Sequence, residues 1–173
     1  MKNPFDIFNL PINFELNKQL LSERYLELQK QLHPDNFVTA EPFKQRLAIE
    51  QSADINEAFA TLNNPVSRAE AIITLHTGQI PSIEEKSITD VTFLMQQLEW
   101  REKLEEIETT NDEAALSDFA KQVKAQTHLI LTALSTHLKS EQWQQAALLC
   151  DKLRFMQKLT AEIERIEEKL FEI

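Results

Sequence analysis

A single glycine, Gly78, serves all 173 residues. Average usage is about 7%, so the chain nearly lacks the one residue that takes positive φ without steric cost. Glycine-rich phosphate loops and dinucleotide fingerprints need several such positions, which excludes both. The tight primed turns of β-hairpins are disfavoured for the same reason. Helices tolerate the shortage, and every long segment repeats its apolar residues at helical spacing.

The helices can be placed from caps and breakers. Asn3 caps a first short helix with Pro4 at its first position, where the missing N–H costs nothing. That helix carries Phe5 and Phe8 and stops near Pro11. A second follows Asn17, with Leu21, Tyr25, Leu28 and Leu32 as its apolar stripe, and Pro34 ends it. A third runs from Pro42 to Leu62, with Ala48, Ser52, Ile55, Phe59 and Leu62 on one face. Asn63-Asn64-Pro65 breaks it, and a short helix then ends at Leu75-His76 with Gly78 as its C-terminal cap. Residues 77–89 hold Gly78, Pro81 and Ser82 and read as a linker. Three longer helices follow at about Asp90–Thr109, Asp112–Leu138 and Glu141–Phe171, with Asn111 and Ser140 as caps between them. Long helices on short connections predict an antiparallel three-helix bundle. The fold class is therefore all-α, in two parts, residues 1–76 and 90–173.

Charge and cysteine usage narrow the function. The net charge is −10. Residues 1–76 hold 7 basic and 10 acidic groups, and residues 77–173 hold 11 and 18. Nucleic acid and anionic membranes select basic surfaces, so neither is an expected partner. One cysteine, Cys150, excludes an intramolecular disulfide and any cysteine-ligated zinc or iron–sulfur site within one chain. It sits among Leu148, Leu149 and Leu153 and reads as a small buried hydrophobe. His76, His128 and His137 share no metal-ligand spacing, so neither a metal nor a cofactor is expected. Trp100 and Trp143 read as core anchors. No apolar run follows Met1-Lys2-Asn3-Pro4, and no apolar stretch approaches the roughly 18 residues of a membrane span. The expectation is a cytoplasmic protein of a reducing compartment.

The residues richest in chemistry are His33-Pro34-Asp35, between two predicted antiparallel helices. Pro34 biases His33 away from helical geometry, and Asp35 suits a turn. Taken alone, the tripeptide is also what an ordinary exposed turn looks like. A general acid–base pair is the other alternative. It finds no nucleophile, second histidine or lid with a distinctive spacing. A stiff polar tip that hydrogen-bonds a partner fits better.

The run Leu28-Gln29-Lys30-Gln31-Leu32-His33-Pro34-Asp35-Asn36-Phe37, followed by Ile55-Asn56-Glu57-Ala58-Phe59-Ala60-Thr61-Leu62, resembles a J domain. Phe93-Leu94-Met95-Gln96-Gln97-Leu98-Glu99 and Lys152-Leu153-Arg154-Phe155 resemble the C-terminal domain of HscB, the J-type co-chaperone of iron–sulfur cluster assembly. The resemblance covers essentially the whole chain, includes Arg68-Ala69-Glu70, and points to the bacterial type. It implies a J domain over 1–76, a linker over 77–89 and a scaffold-binding bundle over 90–173. It implies binding to the ATPase domain of the DnaK-type chaperone HscA, stimulation of its ATP hydrolysis, and delivery of the scaffold protein IscU. The chain would then be an activator and not an enzyme. His33, Pro34 and Asp35 match the residues required for stimulation, with Arg24 and Lys30 as further contacts on the second helix. The sequence departs from the family at Asn36, where lysine is usual, and at Leu32, where tyrosine is frequent. Glu23 and Glu27 dilute the basic face carried by Lys18, Arg24 and Lys30. A general J-type co-chaperone serving other clients shares this first surface and stays open as an alternative.

The helix from Asp90 shows two faces without any family knowledge. At 100° per residue, Phe93, Gln97, Trp100, Leu104 and Ile107 fall within about 40° of one direction, a sufficient core stripe. Leu94, Leu98 and Met95 fall at about 100°, 140° and 200° from Phe93, and Glu102, Glu106 and Glu99 at about 180°, 220° and 240°. Glu99 and Lys103 stand at i,i+4, where a pair would steady the helix. Three apolar residues bordered by three carboxylates mark a partner site rather than a second core face, because unpaired buried carboxylates are costly. The family implies the same: Leu94, Met95, Leu98, Glu99, Glu102, Glu106 and Phe155 match its scaffold contacts. Phe155 shares its side of the last helix with Leu159 and Ile166, so core packing is its alternative.

Overall fold

A computed structural model describes residues 3–79 and 90–171. The described elements are seven α-helices and one 3₁₀ turn, with no strand among the described residues. The chain divides into two compact units, 1–76 and 77–173.

In the first unit, α1 (Pro4–Ile7) is capped by Asn3, whose side chain accepts the Asp6 N–H at 2.9 Å. α2 (Lys18–Gln31) is capped likewise by Asn17. α3 (Pro42–Asn63) starts with proline, and α4 (Pro65–Thr77) follows after one residue, Asn64. Phe5, Phe8, Leu10, Phe14, Leu21, Ile55, Leu62, Ala69 and Ile72 form the core. Of the expected α2 stripe only Leu21 is fully buried; Tyr25, Leu28 and Leu32 are half-buried. Leu28 and Leu32 line a groove of about 670 Å³, together with Ile7, Ile55 and Ala58 among others, which leaves their side of α2 open. Arg68 on α4 is buried, and its Nη1 donates to Leu62 O at 2.8 Å. Its guanidinium also lies 4.9 Å from the centroid of the Phe14 ring.

Gly78 adopts φ +72°, the left-handed geometry expected of a residue closing a helix. The remainder of the expected linker, 80–89, lies outside the described residues.

The second unit is a three-helix arrangement of α5 (Val91–Thr110), α6 (Glu113–Lys139) and α7 (Trp143–Phe171), each packing on the other two. Asp90 and Asp112 are the N-caps, accepting the N–H groups of Phe93 and Ala115. Asn111 and Ser140 prove to be C-caps, of α5 and α6. Phe119, Val123, Leu134, Cys150, Leu153, Met156, Leu159 and Ile163 fill the core.

Candidate functional site

The polar tip is built by the end of α2. Leu32 closes the helix, and His33 is extended (φ −58°, ψ 137°), as a residue before proline must be. Pro34–Phe37 then forms a single 3₁₀ turn. His33 Nδ1 accepts the Asp35 N–H at 3.2 Å, and the Asp35 carboxylate lies 3.5 Å from the same nitrogen. An accepting Nδ1 selects the tautomer of the neutral ring with its proton on Nε2. The tip therefore holds its own shape and presents a ring N–H and a carboxylate, both on exposed side chains.

Asn36 serves the tip internally. Its Nδ2 donates to Lys30 O at 2.7 Å, which the His33 N–H also reaches at 3.4 Å, and to Gln31 O at 3.3 Å, tying the turn to the end of α2. Tyr25 stacks on Phe59 at 4.1 Å between centroids, and its hydroxyl donates to Asn56 Oδ1 at 2.7 Å. Gln29 donates to the same oxygen. Asn56 thus pins α2 to α3 and fixes the base of the tip, a role that spacing alone did not reveal.

Arg24, expected as a partner contact, hydrogen-bonds within the first unit. Its guanidinium donates to Phe8 O at 2.8 Å and Asn9 O at 2.6 Å, tying the segment after α1 to α2. The charge is held by carbonyls, and the side chain is half-buried. Lys18 and Lys30 remain exposed on α2.

On α5 the expected division of faces is present. Phe93, Leu104 and Ile107 are buried, and Gln97 and Trp100 are half-buried. Leu94, Met95 and Leu98 are 39%, 59% and 61% exposed. Glu99, Glu102 and Glu106 are exposed beside them. Asp90 anchors the start of this face: its carboxylate accepts the Phe93 N–H at 3.0 Å and meets Lys152 Nζ of α7 at 3.2 Å. The Phe93 N–H, and after it Lys152, hold the Asp90 carboxyl below the usual carboxylate range. Lys103 turns away from Glu99, donating to Gln122 Oε1 at 3.2 Å with its Nζ 5.3 Å from the Phe119 ring. The acidity of Glu99 is therefore not used up along its own helix.

Phe155 takes the core-packed position that the sequence offers as its alternative. It is 8% exposed, edge-on to Phe93 at 5.6 Å and stacked on Trp100 at 6.0 Å. It is the seat on which α5 rests rather than part of the exposed strip, because α5 covers its side of α7. Beside it a cleft of about 240 Å³ opens between α5 and α7, lined among others by Phe93, Arg101, Lys152, Phe155 and Lys158. Arg101 lies over the Phe155 ring at 5.6 Å. By helical step it stands about 80° from Phe93, on the flank of Leu94 away from the carboxylates.

Comparison with known proteins agrees with this architecture. Residues 89–164 match a family model described as the HSCB C-terminal oligomerisation domain. The chain is 55% identical to a Haemophilus influenzae protein named co-chaperone protein HscB homolog, covering 100% of this chain and 99% of that one. The solved structure of chaperone HscB from Vibrio cholerae superposes with a TM-score of 0.89 at 40% identity, covering 98% and 100% of the two chains. The crystal structure of human co-chaperone protein HscB gives 0.87 at 26% identity, covering 100% of this chain and 84% of that one. A helical hairpin with a His-Pro-Asp tip, joined to a three-helix unit, defines a J-type co-chaperone. The chain belongs to the HscB co-chaperone family, whose work is iron–sulfur cluster assembly.

Proposed function

We propose that this chain binds the iron–sulfur scaffold protein IscU through α5 and delivers it to the DnaK-type chaperone HscA, whose ATPase it stimulates through the His33-Pro34-Asp35 tip. The observation that carries the reading is the exposure of Leu94, Met95 and Leu98 beside three carboxylates that form no ion pair among the described residues, on a helix whose opposite side is core. Such a face takes a partner that is apolar at its centre and basic at its edge. Phe155 acts beneath it, holding Phe93 and Trp100 in place. Pro34 fixes the backbone of the tip, while His33 and Asp35 supply hydrogen-bonding groups and Lys30 adds a positive charge nearby. The chaperone performs the hydrolysis, so the chain acts as an activator in the cytoplasm and holds neither nucleotide nor cluster itself.

The test measures ATP turnover by HscA with and without IscU, together with IscU binding by calorimetry. His33→Gln is expected to abolish stimulation and still bind the scaffold. The triple variant Leu94→Ala/Met95→Ala/Leu98→Ala is expected to keep basal stimulation and lose scaffold binding by at least about a hundredfold, since well-packed interface side chains each contribute roughly 1–2 kcal/mol. Unchanged stimulation by His33→Gln would sink the first assignment. Scaffold binding that survives the triple change would remove the second.

A further inference from the structure

The first two turns of α3 carry apolar side chains that the core does not use. With Phe43 at zero, Leu47 lies at about 40°, whereas the buried Ala48 and Ile55 lie at about 140° and 120°. Phe43 is 65% exposed and Leu47 41%. Val38, just after the 3₁₀ turn, is 71% exposed. Single exposed leucines need no explanation, but a phenylalanine and a leucine at i,i+4, with a valine close in sequence, form a patch.

The patch is fixed to the polar tip. Gln45 Nε2 donates to Phe37 O at 2.9 Å, and the Ala40 N–H donates to the same oxygen at 3.0 Å. The start of α3 therefore moves with the turn that contains Asp35. Charge flanks the strip as well. Lys44 falls at about 100° and Arg46 at about 300° from Phe43, one on each side. Both are exposed, and neither enters an ion pair among the described residues. Further along, Glu50 and Asp54 share the face, so the cationic border is confined to the end nearest the tip. With Arg24 occupied by carbonyls, Lys30, Lys44 and Arg46 are the exposed cations closest in sequence to the tip.

We infer that Phe43 and Leu47, flanked by Lys44 and Arg46, extend the chaperone-docking surface and engage an apolar depression edged by carboxylates on the ATPase domain of the DnaK-type partner. This rests on the chaperone reading above. Two observations choose the occupant: continuity with the tip through Phe37, and the positive border. A second copy of the chain is the competing occupant, and the sedimentation measurement below distinguishes it. The strip sets affinity and choice of chaperone, while His33 and Asp35 govern stimulation once docked.

The experiment titrates the full-length chain into the partner chaperone and follows ATP turnover at several salt concentrations. Phe43→Ala/Leu47→Ala is expected to raise the concentration for half-maximal stimulation about tenfold, the loss of one good anchor pair, and to leave the plateau unchanged. Lys44→Glu/Arg46→Glu is expected to raise it by a similar factor and flatten its salt dependence. Both sites are exposed, and unchanged circular dichroism verifies the fold of each variant. An unchanged half-maximal concentration in both variants overturns the inference. So does a loss confined to scaffold binding, or a shift in sedimentation showing that the strip joins copies of the chain. If His33→Gln still stimulates, the chaperone reading itself fails, and that result is distinct from any of these.

Discussion

Asp90 links the stability of α5 to the face that α5 displays. It caps the helix through the Phe93 N–H and crosses to Lys152 on α7. Removing a good N-cap side chain costs about 1 kcal/mol. The ion pair, about a third exposed at each end, adds roughly 0.5 kcal/mol after solvent screening. Asp90→Ala is therefore expected to destabilise the second unit by about 1.5 kcal/mol. Asp90→Asn keeps a capping oxygen and is expected to cost only about 0.5 kcal/mol, the ion-pair share. Urea unfolding measures both, and hydrogen exchange at the Leu94 amide should speed up about tenfold in Asp90→Ala. The pH dependence has a definite sign. The folded carboxyl is lowered, so its contribution is full above the unfolded value of about 3.9 and disappears as pH falls through the folded value. Wild type and Asp90→Asn should therefore differ at neutral pH and converge in strong acid. Equal losses in Asp90→Ala and Asp90→Asn would refute the cap, and a difference that grows on acidification would refute the linkage. Fraying of this first turn also loosens Leu94 and Met95, so Asp90→Ala should weaken scaffold binding several-fold.

Other perturbations probe the remaining features. Asn36→Ala removes the donor to Lys30 O and Gln31 O, and should cost the first unit about 1 kcal/mol in thermal unfolding and lower ATPase stimulation. Arg68→Ala deletes a buried charged donor to Leu62 O and the contact with Phe14. It should cost roughly 2–3 kcal/mol by urea titration, less than the sum of its parts because a desolvated charge also leaves. Arg68→Met, which keeps the apolar stem, should recover part of that loss. Glu102→Gln/Glu106→Gln should weaken scaffold binding about threefold to tenfold and flatten its salt dependence, as calorimetry at two ionic strengths can show.

The order of the helices was legible because caps and breakers are local. Asn3 and Asn17 each satisfy an N–H of the turn that follows them, whereas Asp90 and Asp112, read as first helical residues, prove to be the N-caps. The faces of α5 were equally legible, since a helical step relates Phe93 to Leu104 and Leu94 to Leu98 without reference to the rest of the chain. What escaped were contacts between elements. Periodicity places Phe155 on a side of α7 but does not say that α5 covers that side. The positive charge of Arg24 reads as a surface feature until Phe8 O and Asn9 O, 16 and 15 residues away, are found to hold it. Asn56 likewise looked like part of a signature, and its work is to accept hydrogen bonds from Tyr25 and Gln29 across the hairpin.

Among the described residues, three further positive-φ positions are taken by ordinary residues: Asn9 at 51°, Asn111 at 53° and Glu141 at 58°. Asparagine tolerates this geometry, while glutamate bears a strain of roughly 1 kcal/mol. Corners made this way do not behave as hinges. A glycine there could swing between left- and right-handed conformations at little cost, whereas a residue with a Cβ is confined to narrow wells on either side of a barrier. The connections from α5 to α6 and from α6 to α7 therefore act as fixed brackets. Any bending of the second unit under load from a bound partner must come from the helices themselves.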